Sequence, residues 1–216
     1  MADMSDVRQF GARGDGTTDD TEAIRHAVAK GDGILFFPAG IYRVSGTINV
    51  PIADRGPCAI AGEQGVSSVV MTGGGPAFRI IGTHGGTGDP GSVKPGVWKD
   101  ERMPTIQNIS LDGAHPQADG LELVETMQAV LEGVMVRRMR HGIHLIKRNR
   151  NVVISHCHLY HNTGVGLYLD GVNLHQINVS NSHISYNRLG GIRIGLRQLR
   201  SVPMGNGLSV VARTRR

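Results

Sequence analysis

Aromatic side chains make up only 4% of this 216-residue chain, and it has two cysteines. A pair as sparse as Cys58 and Cys157 excludes a disulfide scaffold, and each suits the role of a small buried apolar residue. No apolar run approaches the roughly 18–20 residues that span a bilayer, so no membrane partner is expected. Excess charge is also missing from most of the chain. The formal net charge is +5, but Arg197, Arg200, Arg213, Arg215 and Arg216 supply all of it. A basic tail of that kind does not make the body a nucleic-acid surface, and no nucleic-acid partner is expected. The polar, acidic opening Met1-Ala2-Asp3-Met4-Ser5-Asp6 carries no secretory signal, and localisation is not legible from it. Glycine, by contrast, is plentiful at 31 residues. That is roughly twice the average usage of about 7%. It has no three-residue period, so it signals tight turns rather than collagen.

The glycines belong to a repeat. Gly120-Leu121-Glu122-Leu123, Gly142-Ile143-His144-Leu145, Gly166-Leu167-Tyr168-Leu169 and Gly191-Ile192-Arg193-Ile194 follow one another at steps of 22, 24 and 25 residues. Between them, Val152-x-Ile154-x-x-Cys157-x-Leu159-x-x-Asn162 matches Ile177-x-Val179-x-x-Ser182-x-Ile184-x-x-Asn187 at an offset of 25. Alternation at period two means strand. Segments this short find partners one repeat later, about 4.8 Å away in parallel, rather than through hairpins. The expected fold is all-β: a single-stranded right-handed parallel β-helix. Leucine-rich repeats share the period, but their Leu-x-x-Leu-x-Leu frame is missing. Stacking should put Cys157 over Ser182, Leu159 over Ile184, and Asn162 over Asn187 at a corner tolerant of left-handed backbone.

The first 50 residues read differently. Val7 to Phe10 suggests a short strand, followed by Gly11-Ala12-Arg13-Gly14-Asp15-Gly16 and a helix from about Asp20 to Ala29. Asp19 with Glu22 fits a capping box. Ile34-Leu35-Phe36-Phe37-Pro38-Ala39-Gly40 gives a buried strand and its turn. This stretch resembles the opening of the pectate-lyase-like superfamily, with its Phe-Gly-Ala-x-Gly-Asp-Gly-x-x-Asp-Asp-Thr-x-Ala-Ile and Phe-Pro-x-Gly-x-Tyr signatures. The resemblance implies a right-handed β-helix closed by an N-terminal capping helix, a carbohydrate partner and an extracellular setting. It does not select one reaction among lyases, hydrolases, epimerases and tailspikes. The expected layout is a β-helix over residues 1–195, with a loop insertion at about 82–104 and a basic tail at 196–216 out of register. An uncapped C-terminal end would favour homo-oligomers.

The middle residue of each Gly-apolar-x-apolar unit points outward, because its neighbours point in. Stacking therefore places Glu122, His144, Tyr168 and Arg193 side by side on one solvated face. His144, Tyr168 and Arg193 are the candidate catalytic residues. Glu122, Asp170 and Trp98, the last in the long loop, are candidate substrate-binding residues. Arg193 could neutralise a sugar carboxylate bidentately. His144 or Tyr168 could then move the proton of a β-elimination or an epimerisation. The expected partner is an acidic polysaccharide. A glycoside hydrolase needs two carboxyls flanking one bond, and the late repeats do not display such a pair. No metal or other cofactor is expected. His158 and His183 stack, but no third zinc ligand is evident. Calcium needs clustered carboxylates, which residues 106–195 largely lack. The rival readings are a non-catalytic tailspike-like or adhesin-like binding protein and a truncated, inactive relative.

Overall fold

A computed structural model describes residues 5–172 and 176–195, together with the backbone of 208–210. Three parallel sheets of eight, seven and six strands run the length of the molecule as the walls of one coil. In each sheet the H-bonded neighbour of a strand is the equivalent segment of the next coil, as stacking requires. Cα partners join His158 to His183 and Leu159 to Ile184, the predicted 25-residue register. Leu208–Val210 pairs with Ile177–Val179, so these residues return to the eight-stranded sheet at a longer offset. The rest of the 196–216 tail lies outside the described residues.

The core is the alternate face of these strands. Ile106, Leu131 and Ile154 fill one wall, Leu111, Val136 and Leu159 the second, and Leu121, Ile143 and Leu167 the third, all buried. Each such side chain contributes roughly 1.5–3 kcal/mol on leaving water. The leading glycines are explained by coil spacing. A Cβ on Gly120 would run into the carbonyl oxygen of Gly142, and one on Gly142 into that of Gly166.

Corners between walls are sharp. The Asn162 and Asn187 ladder forms as expected: Asn162 Nδ2 donates to Asn187 Oδ1 at 2.8 Å, and Asn162 Oδ1 accepts from Met139 N at 3.0 Å. The left-handed backbone, however, falls one residue earlier, on His161 (φ 53°) and Tyr186 (φ 53°). The asparagines supply hydrogen bonds to the corner rather than its twist. Ser182 Oγ lies 3.1 Å from the Cys157 amide N–H and accepts from it.

The N-terminal end differs from expectation in two details. Val7–Phe10 is a 3-10 turn, not a strand. Asp6 accepts from Arg8 N at 2.8 Å, and Gly11 closes the turn at φ 101°. The paired strand is instead Ser5–Asp6. Helix α1 (Thr21–Lys30) forms, with Ile24 and Ala27 buried against the coil. The Asp19–Glu22 capping box does not. Asp19 accepts from Thr21 N at 3.0 Å, while Glu22 pairs with Arg25 at 2.6 Å. Asp20, 1% exposed, is committed to Arg13 N and Gly14 N, so it anchors the preceding turn.

Candidate active site

The six-stranded sheet carries the predicted row. Register pairs Glu122 with His144, His144 with Tyr168, and Tyr168 with Arg193. It also extends the row backwards, pairing Asn49 with Arg79 and Arg79 with Glu122. Arg79 was missed in the sequence because its Phe78-Arg79-Ile80 segment lacks the leading glycine and lies 43 positions before Glu122, across the loop insertion. The apolar-x-apolar frame was the available signal.

The row is less solvated than expected. Glu122 is only 8% exposed. Arg79 Nε donates to its Oε1, and its Oε2 lies 3.5 Å from His144 Nδ1. Burial works to raise the Glu122 carboxyl, but the contacts from His144 and Arg79 outweigh it and hold it below the usual carboxylate range. On the other side of the imidazole, Nε2 lies 3.4 Å from Asp170 Oδ2. Both ring nitrogens of His144 are buried and neither has a hydrogen-bond partner. His144 is thus held between two carboxylates without being tied to either. Glu122 is the more buried, and Asp170, about a third exposed, is the more open.

Aromatic stacking completes the cluster. The His144 and Tyr168 rings are parallel, with centroids 5.0 Å apart. The Arg193 guanidinium carbon lies 5.6 Å from the Tyr168 ring centroid on the next coil, in cation–π range. His141 joins from the corner, 5.2 Å from Tyr168 and 5.7 Å from His144. Its Nδ1 accepts from Val165 N at 3.2 Å, which puts the neutral ring's proton on Nε2. Burial pushes His141 below the usual histidine value, against the opposing pull of the Asp119 carboxylate. The buried Asp119 fixes this corner by accepting from His141 N and Arg140 Nε, both at 2.9 Å. Sequence reasoning missed His141, because it precedes the Gly142 unit and reaches the row only by folding back.

The long loop divides in two. Its first part is bolted to the coil: Arg150 Nη1 donates to Thr87 O at 2.7 Å, and Arg148 Nη1 to Gly86 O at 3.3 Å. A cavity of about 580 Å³ opens there beside Asp170, lined also by Gly85, Glu125, Lys147 and Arg148. Its second part forms the short helix α2 (Pro95–Asp100). Trp98 packs there, partly buried, against Val93, Val97 and Met127. The loop therefore brings Gly85 near the row, while Trp98 joins a separate apolar cluster. Among the described residues no group of three or more His, Cys, Asp or Glu could hold a metal ion.

Three parallel sheets stacked coil upon coil define the class of parallel β-helix proteins. Residues 4–86 match the family described as "Rhamnogalacturonase A/epimerase, pectate lyase-like", and residues 96–202 match the "Right handed beta helix region". The chain belongs to the pectate-lyase-like superfamily of right-handed parallel β-helices. It is 54% identical over 44 residues to mannuronan C5-epimerase AlgE5 of Azotobacter vinelandii, which is 18% of this chain and 4% of that protein. To alginate lyase 7 of the same organism it is 52% identical over 44 residues, 18% of this chain and 5% of that protein. The mannuronan C-5 epimerase AlgE4 A-module of A. vinelandii shares the fold at a TM-score of 0.65 and 22% identity, over 87% of this chain and 52% of that one. The Agl-KA catalytic domain does so at 0.67 and 17%, over 90% and 34%. The chain thus spans about half or less of these relatives.

Proposed function

We propose that the chain acts on an acidic polysaccharide by abstracting the proton beside a uronate carboxylate, as a lyase or an epimerase. The observation that carries this reading is His144, suspended between Glu122 and Asp170 and stacked on Tyr168. The names of the alginate lyase and epimerase relatives support it.

Arg193 neutralises the sugar carboxylate, which acidifies the adjacent C–H. The ionised, buried Glu122 favours the tautomer of His144 with its proton on Nδ1, leaving Nε2 as the base on the more open Asp170 side. The proton moves to Nε2, and the imidazolium that forms is stabilised by both carboxylates. In elimination, the electron pair becomes the C=C bond as the C–O bond breaks, and Tyr168 gives its proton to the leaving oxygen. In epimerisation, a solvent water gives a proton to the same carbon from the opposite face, and His144 releases the abstracted proton to solvent. Hydrolysis fits less well. Glu122 and Asp170 do flank one point, but the imidazole fills the gap where an inverting enzyme needs sugar and water.

Incubation with polymannuronate and polygalacturonate in D2O tests the proposal. Elimination gives ultraviolet-absorbing unsaturated ends; epimerisation gives deuterium at C5 in an intact polymer. Neither signal, from a folded protein, overturns the reading in favour of a binding role.

A further inference from the structure

A second groove lies on a different wall, that of the eight-stranded sheet. It has a volume of about 250 Å³ and is lined by Gln128, Asn151, Gln176 and Asn178 with Met103 and the valines of adjacent strands. Two ladders build it. The first is a corner: backbone bridges join Arg102 to Met127 and Met127 to Arg150, so Met103, Gln128 and Asn151 follow on successive coils, at φ 54°, 57° and 53°. The second is the outward row of the sheet, in which Val130 pairs with Val153 and Val153 with Asn178. None of the described lining residues is charged. Asn151 Oδ1 is buried without a hydrogen-bond partner, an acceptor the fold itself leaves unused.

We infer that this groove binds a neutral glycan lying along the coil axis. An amide both donates and accepts, as does a sugar hydroxyl, so one Asn or Gln can engage a vicinal hydroxyl pair. The valine and methionine side chains offer an apolar strip to the C–H faces of a sugar ring. The coils repeat every 4.8 Å or so, which places amides periodically against a periodic polymer. Among the described residues lining the groove, a uronate chain would find no cation to meet its carboxylates. An added peptide strand would need a free sheet edge. Val130–Glu132 and Val152–Ser155 are each already paired on both sides.

Native gels cast with a soluble neutral β-glucan or galactomannan test the inference, with polymannuronate gels in parallel. Neutral glycan should retard the protein equally at low and high salt. Gln128→Ala and Asn178→Ala should each weaken that retardation by at least about tenfold, with circular dichroism unchanged. Arg193→Ala should leave it intact, since that residue belongs to the other wall. The inference is overturned if neither neutral polymer retards the protein or if the two amide variants bind as well as the parent. It is also overturned if those variants instead dissolve a concentration-dependent dimer, which would make the groove a contact between copies. Failure of the polymannuronate arm alone bears on the proposed reaction and not on this groove.

Discussion

Two walls of the same coil carry outward rows built on the same spacing and end with opposite chemistry. On the six-stranded sheet, Arg79, Glu122, His144, Tyr168 and Arg193 follow one another, each an ion or a ring. On the eight-stranded sheet, the corresponding row is Thr105, Val130, Val153 and Asn178. In the first row each side chain partly desolvates and polarises the next, so Glu122 is buried yet ionised. Beside the second, at the corner, Asn151 keeps a buried carbonyl oxygen unspent. The scaffold sets the interval, about 4.8 Å, and the residue type at a single position per coil sets what the wall can do.

The sharpest way to break this contrast is to remove the charged row's chemistry without touching the coil. Tyr168→Phe and Arg193→Ala should each lower polyuronate turnover by about 10²–10⁴. Neutral-glycan retardation should stay as in the parent. If both variants keep their turnover, the row is not the reaction surface. Next in size is a change at a corner that holds the charged wall in place. Asn162 is 2% exposed and bonds to Met139, Val136 and Asn187 at the corner between the seven-stranded and six-stranded sheets. Asn162→Ala leaves buried backbone groups unpaired and should cost about 1–3 kcal/mol, measured by urea unfolding. A variant as stable as the parent would show that the amide ladder is not what holds the corner.

The charged side of this contrast was largely legible in the sequence, for a definite reason. A parallel coil converts spacing in the chain into adjacency in space, so the offset shared by Tyr168 and Arg193 places them side by side. Asp170 was legible for the same reason, two residues beyond Tyr168. What escaped was whatever breaks the period. Arg79 is separated from Glu122 by the 82–104 insertion, and His141 arrives from a corner. Trp98, a substrate-binding candidate from its place in the long loop, packs partly buried beside Val97 and Met127. The amide groove escaped because Gln128 and Asn151 lie at corners, where left-handed backbone rather than strand alternation decides what a side chain lines. Val7–Phe10 was read as strand from its apolar ends; the Asp6 side chain, bonding to Arg8 N, turns it instead.

The smallest expected effect concerns pH, and it separates Glu122 of the charged row from His141 at the adjoining corner. His141 sits below its ordinary value of 6.5, and Glu122 below its ordinary value of 4.5. For each, the unfolded chain binds the proton more readily than the folded one. Each therefore contributes stability that is complete above the ordinary value and is lost as pH falls through the folded one. Unfolding free energy should first decline as pH drops below about 6.5, from His141 together with the likewise lowered His84, and decline again below about 4.5, from Glu122 and then from the lowered Asp15, Asp19 and Asp32. Glu122→Gln keeps the shape of the side chain and removes the share of the second decline that belongs to Glu122. At neutral pH it should be less stable than the parent by about 1–3 kcal/mol, because the Arg79 bond loses its charge assistance. Towards acid the two curves should converge, since the parent's own carboxyl is then protonated. His141 is untouched by the change, so the decline beginning near 6.5 should survive. Curves that stay parallel down to the lowest pH would mean that Glu122 is not held ionised by its neighbours, and the tautomer assigned to His144 would lose its cause.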